Sequence, residues 1–169
     1  MRHRTALTNI IIALSTLAIV AAEPTRPDFS GEWELDPERS EGLPPGTKQH
    51  MTVKQSGNRL EVEVKVSGPQ GDRTVSDIYM VNGTEADFTP AIIGGGKPKD
   101  GKRTSTWAAD ARGFDATEQA TVEGDDGTDT FKAKREWRLS DDGKLLTIHM
   151  DIEGGAGGPM KAKRVFVKK

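Results

Sequence analysis

The sequence has no cysteine, a single tyrosine and only 5% aromatic residues, and no long apolar run follows residue 22. Without cysteine there is no disulfide, no thiolate metal site and no thiol nucleophile. The fold must therefore hold by packing and hydrogen bonds. About 147 residues beyond the leader are enough to bury a core that does so. A basic surplus is also missing. Lys and Arg number 24 against 26 Asp and Glu, a formal charge of -2. That balance points away from nucleic acid and from anionic lipid surfaces as partners. Helical spacing of apolar residues is absent outside the leader, and no Gly-x-Ser-x-Gly nucleophile elbow occurs.

The leader itself is specific. Arg2, His3 and Arg4 precede a mostly apolar stretch from Ala6 to Val20, and Val20-Ala21-Ala22 offers small residues for cleavage. This predicts a signal peptide over 1–22, cut after Ala22, and an export route to the periplasm or the exterior. The stretch carries Thr8, Asn9, Ser15 and Thr16 and falls short of the roughly 20 apolar residues of a membrane span, so no stable membrane insertion is expected after cleavage. Loss of Arg2 and Arg4 takes the formal charge to about -4. Residues 23–169 read as one domain, expected to be a monomer.

Period-two alternation dominates that domain. Leu60, Val62, Val64 and Val66 share one face, with Arg59, Glu61, Glu63 and Lys65 on the other; Phe131, Ala133, Trp137 and Leu139 repeat the pattern. Turn residues fill the gaps: Ser56-Gly57-Asn58, Asn82-Gly83, Asp110 to Gly113, Asp125-Asp126-Gly127 and Asp141 to Lys144. Ten strands are predicted, near 29–35, 48–55, 59–67, 73–82, 84–90, 103–109, 114–122, 129–139, 144–152 and 160–168. Short links make neighbours antiparallel. The fold class is thus all-β, an up-and-down meander closed into a barrel. The same strands could instead form a flattened sandwich. The segment 36–46 is expected to hold one short helical turn at Asp36-Pro37-Glu38, and 93–102 to be a long loop.

Gly31 and Trp33, within Phe29 to Leu35, resemble the Gly-x-Trp opening of the calycins, the lipocalins and fatty-acid-binding proteins. The last hairpin, from Asp142 through Lys169, is similar to that of the fatty-acid-binding proteins, with Arg164-Val165-Phe166 where they carry Arg-x-Tyr. The layout is also similar to small secreted lipocalin-like proteins of bacteria. The resemblance implies a calycin-like barrel, with Gly31 and Trp33 plugging its closed end and Arg164 and Phe166 near a ligand carboxylate. About a dozen residues between the first two strands are too few for the two helices those proteins place there.

A ten-strand barrel is wider than side chains readily fill, and faces rich in alanine add to the expected space. Two arginines stand in apolar phase: Arg135 with Phe131, Ala133, Trp137 and Leu139, and Arg164 with Met160, Ala162 and Phe166. They either bind an anionic ligand group in the cavity or brace the barrel by stacking on Trp33 or pairing with Glu118, which falls in phase with Phe114 and Ala116. A β-bulge reversing the last strand is a third possibility, because Val165 and Val167 make its other face apolar too. The candidate ligand-binding set is Arg135, Arg164, Phe166, Trp137 and Glu118.

Other constellations carry less. His50 and His149 stand on distant strands without spaced carboxylates, so no metal site is expected. Gly96 through Arg103 mimics a phosphate loop but has Arg103 where Ser or Thr should hold magnesium. Asp125, Asp126 and Asp129 lack the frame of a calcium loop. Asn82-Gly83-Thr84 reads as a turn, and the glycine-rich 154–159 as either a flap at the cavity mouth or a loose loop. No cofactor and no catalytic set is expected. The function these features indicate is an exported, non-enzymatic protein binding a small amphipathic, fatty-acid-like molecule; the alternative is a structural or envelope-interaction barrel.

Overall fold

The computed structural model describes residues 26–69, 71–90, 97–124, 127–155 and 158–169. The leader, with its cleavage site, lies outside the described residues, as do Gly96, Asp125 and Asp126. Ten strands follow in order: β1 (Gly31–Leu35), β2 (Lys48–Ser56), β3 (Arg59–Ser67), β4 (Arg73–Met80), β5 (Glu85–Phe88), β6 (Lys97–Trp107), β7 (Gly113–Gly124), β8 (Gly127–Leu139), β9 (Leu145–Gly154) and β10 (Met160–Lys168). No helix occurs among the described residues.

All ten strands belong to one antiparallel sheet, ordered β4-β3-β2-β1-β10-β9-β8-β7-β6-β5. The sheet curls until its two ends, β4 and β5, face each other, which makes a nearly closed barrel rather than two stacked sheets. Every alternate connection leaves from the same end. The β2–β3, β4–β5, β6–β7 and β8–β9 turns sit at one end, and the β1–β2, β3–β4, β5–β6, β7–β8 and β9–β10 links at the other.

The first end is plugged. Trp33 is wholly buried and its Nε1 donates to Phe29 O at 2.9 Å. Phe114 and Trp137 stack with centroids 5.2 Å apart, while Phe29, Tyr79 and Trp107 meet Phe114 edge-on or tilted. Gly31 has φ of 132°, where L side chains are strained, and an added Cβ would come within 3.0 Å of Lys168 Cε. The glycine two residues before the plug is thus needed by the backbone.

Three expectations change in detail. β6 begins at Lys97, so half of the 93–102 loop is strand. Lys97-Pro98-Lys99-Asp100-Gly101 carries no apolar alternation, and its pairing with β7 shifts register between Pro98 and Gly101. Asp36-Pro37-Glu38 makes a turn, not a helix; Asp36 Oδ1 accepts from the Glu38 and Arg39 amides, each at 3.1 Å. The final strand is not reversed by a bulge: its register with β9 runs unbroken from Met160 to Val167. The irregularity is in its other neighbour. After Leu35 the chain loops away from β10, the Ser40 hydroxyl accepts from Val165 N at 3.0 Å, and Glu41 rejoins β10 opposite Lys163.

Candidate functional site

Inward-facing positions form cross-strand rows. Trp107, Phe114, Trp137 and Ile148 form one; Ser105, Ala116, Arg135 and Met150 the next; Arg103, Glu118, Ala133 and Ile152 the third. The first row belongs to the plug. The next two place charge in the middle of the barrel.

Arg103 stands at its centre, 4% exposed. Its Nε donates to Glu118 Oε1 at 2.8 Å, and its Nη1 and Nη2 grip both oxygens of Asp77 at 2.6 and 2.7 Å. Nη1 also reaches Ile78 O at 3.0 Å. The guanidinium lies 4.1 Å from the ring centroids of both Tyr79 and Phe88. Asp77, Ile78 and Tyr79 are on β4, and Phe88 is on β5. Arg103 therefore spans the seam where the sheet's ends meet; among the described residues the backbone bridge there joins Val81, just past β4, to Ser105 of β6. A bidentate arginine closes what the ladder leaves open.

Arg135 joins the same cluster. Its Nε donates to both Glu118 oxygens at 3.1 Å, and its Nη1 meets Met150 Sδ at 3.0 Å, a weak acceptor. Its side chain keeps 23% of its surface, against 1% for Glu118. Burial works against the charge on both arginines, but the carboxylates outweigh it, Asp77 and Glu118 at Arg103 and Glu118 at Arg135, and both pKa values move up. Burial pushes the Tyr79 hydroxyl far above its usual range, helped by Asp77. Tyr79 is neutral here and the arginines are charged.

Of the residues singled out by sequence, Arg135, Glu118 and Trp137 are brought together. Trp137 packs into the plug below Arg135, and Phe166 is buried in the same core. Arg164 stands apart. It faces inward, paired with Ile148, but its guanidinium donates to the backbone carbonyls of Glu41 and Gly42. It meets neither Trp33 nor Glu118; it ties the 36–47 connection to β10, and burial lowers its pKa. Arg103, Asp77 and Tyr79 escaped the sequence reading. Their signal was phase: Arg103 is four residues before inward Trp107, and Asp77 two before inward Tyr79.

Beside and above the charged side chains the barrel is lined differently. Val64, Val75, Phe88, Phe131, Met150 and Ile152 point inward yet remain partly exposed, and Ala120, Ala133 and Ala162 leave room between them. With the partly exposed Arg135 they make an apolar lining for this half of the barrel, its mouth. Two hollows lie elsewhere. One, of about 810 Å³, runs along Glu34, Lys48, His50, Lys65 and Arg73; the other, of about 640 Å³, lies over Lys102, Thr104, Thr117, Lys132 and Lys134. Both open to solvent, largely on the outer face of the sheet. Among the described residues no three His, Asp or Glu side chains are grouped to hold a metal.

No protein-family model matches the chain, and no curated protein matches it. Among solved structures it is similar to secretory abundant heat soluble protein 4 from Ramazzottius varieornatus, at 12% identity and a TM-score of 0.48, over 88% of this chain and 99% of that one.

Proposed function

We propose that the protein is a non-catalytic binding barrel that takes a small amphipathic molecule into its open half. The observation that carries this is the apolar mouth. Six apolar inward side chains stay partly exposed around Arg135, whose Nη1 has only a thioether for company. Inward apolar surface left wet is unfavourable, at roughly 25 cal/mol per Å², and a ligand chain would cover it. The interior titratable groups are committed to one another, which leaves none poised as an acid, base or nucleophile. That commitment also favours a second reading, a purely structural barrel stitched shut by Arg103, Glu118 and Arg135.

Calorimetric titration with decanol and decanoate separates the two. On the binding reading at least one of them binds with one-to-one stoichiometry. Arg135→Gln, which loosens the interior cluster, weakens that binding several-fold, the scale of one hydrogen bond to a charged group. If neither ligand gives a saturable isotherm while Arg135→Gln sharply lowers the melting temperature, the barrel is structural.

A further inference from the structure

Two buried polar atoms inside the barrel have no hydrogen-bond partner: Ser105 Oγ and Trp137 Nε1. Their residues are 1% and 3% exposed. The other two tryptophans are satisfied, Trp33 by Phe29 O and Trp107 by Asn58 Oδ1, each at 2.9 Å. Buried polar groups are nearly always paired, so two orphans facing one interior are a signal. Ser105 lies in the cross-strand row of Ala116 and Arg135, and Trp137 lies two residues along β8 from Arg135 on the same face. Alanine, the smallest side chain of that row, separates Ser105 from Arg135.

We propose that the deep end of the binding space receives an uncharged hydrogen-bond acceptor, the carbonyl oxygen of a ketone, ester or amide, on Trp137 Nε1 and Ser105 Oγ. This deepens the binding reading and rests on it. An indole N–H can only donate and a serine hydroxyl readily does so, so the missing partner is an acceptor. Charge decides its class. The interior cluster holds two cations, Arg103 and Arg135, and two anions, Asp77 and Glu118, all mutually paired. A carboxylate pushed in beside them would be a third anion in a poorly solvated space. Arg164 is no counterion for it, being bound to the carbonyls of Glu41 and Gly42. A neutral carbonyl fits the donors and leaves the balance intact.

The full-length chain labelled with nitrogen-15 gives three indole N–H signals, and Trp137→Phe identifies one of them. Titrate with nonan-2-one, nonanoate and 1-chlorooctane, the last a chain of similar length without a carbonyl acceptor. The ketone is expected to move the Trp137 indole proton downfield and leave those of Trp33 and Trp107 in place. It should bind roughly tenfold more tightly than the chloroalkane, as expected for one hydrogen bond to a buried donor otherwise left unpaired. Ser105→Ala should weaken ketone binding several-fold without weakening the chloroalkane, and should raise the melting temperature of the unliganded protein by removing an orphan hydroxyl. Equal binding of ketone and chloroalkane, or a Trp137 signal that stays put as the ketone saturates, overturns the acceptor site but leaves the binding reading standing. Tighter binding of nonanoate than of the ketone overturns the neutral-ligand assignment. Failure of all three probes to bind overturns both.

Discussion

Trp33→Ala is expected to destabilise the protein by about 3–5 kcal/mol, the range for emptying a fully buried tryptophan site. The indole is inaccessible to solvent and is fixed by its bond to Phe29 O, and Lys168 Nζ lies 5.2 Å from its ring centroid at the barrel's end. Neighbours have little freedom to collapse into the space, because β1 pairs on both sides, with β2 and β10. Against a typical total of about 5–15 kcal/mol the loss would be plain in urea unfolding. Trp33→Phe keeps most of the volume and should lose mainly the hydrogen bond, about 1 kcal/mol. A Trp33→Ala cost below about 1 kcal/mol would mean that this end is not plugged as described.

Glu118→Gln should cost a comparable amount, about 3 kcal/mol, by a different route. Glu118 is the one carboxylate shared by Arg103 and Arg135, and its side chain is 1% exposed. Arg103 retains Asp77, but Arg135 is left with no carboxylate partner among the described residues. Breaking a buried ion pair from one side leaves an uncompensated charge, which is where the cost arises. Adding Arg135→Met to Glu118→Gln removes that charge and should recover part of the stability. The two substitutions should therefore be strongly non-additive. Additive effects, or a Glu118→Gln cost under about 1 kcal/mol, would show that the interior cluster braces nothing.

Much of this architecture was legible in the sequence because a strand's two-residue period writes burial directly into residue order. β3 and β10 match their expected limits, and β2 differs only by Ser56. The same period found Arg135 and Glu118 inside. It missed Arg103 because that strand's inward face, Arg103, Ser105 and Trp107, has one apolar residue in three. The polar run before it concealed the start of β6 for the same reason. Arg164 was rightly placed on the inward face, but its partners are backbone carbonyls of Glu41 and Gly42, more than a hundred residues away. No side-chain pattern marks a carbonyl acceptor. The seam between β4 and β5 was likewise hidden, since it follows from how far the whole sheet curls rather than from any one segment.

The most direct test of a binding barrel asks whether its accessible apolar surface lies inside. Nile red, an uncharged dye that brightens and shifts to the blue in apolar surroundings, can be titrated into wild type, Ile152→Trp and Ile78→Lys. Ile152 points into the mouth between Ala133 and Met160, whereas Ile78 is 46% exposed on the outer face of β4. Saturable one-to-one binding is expected in wild type and in Ile78→Lys, with at least a tenfold loss in Ile152→Trp, whose larger ring occupies the mouth. Absence of saturable binding in wild type, or binding lost in Ile78→Lys and kept in Ile152→Trp, would contradict an open apolar interior.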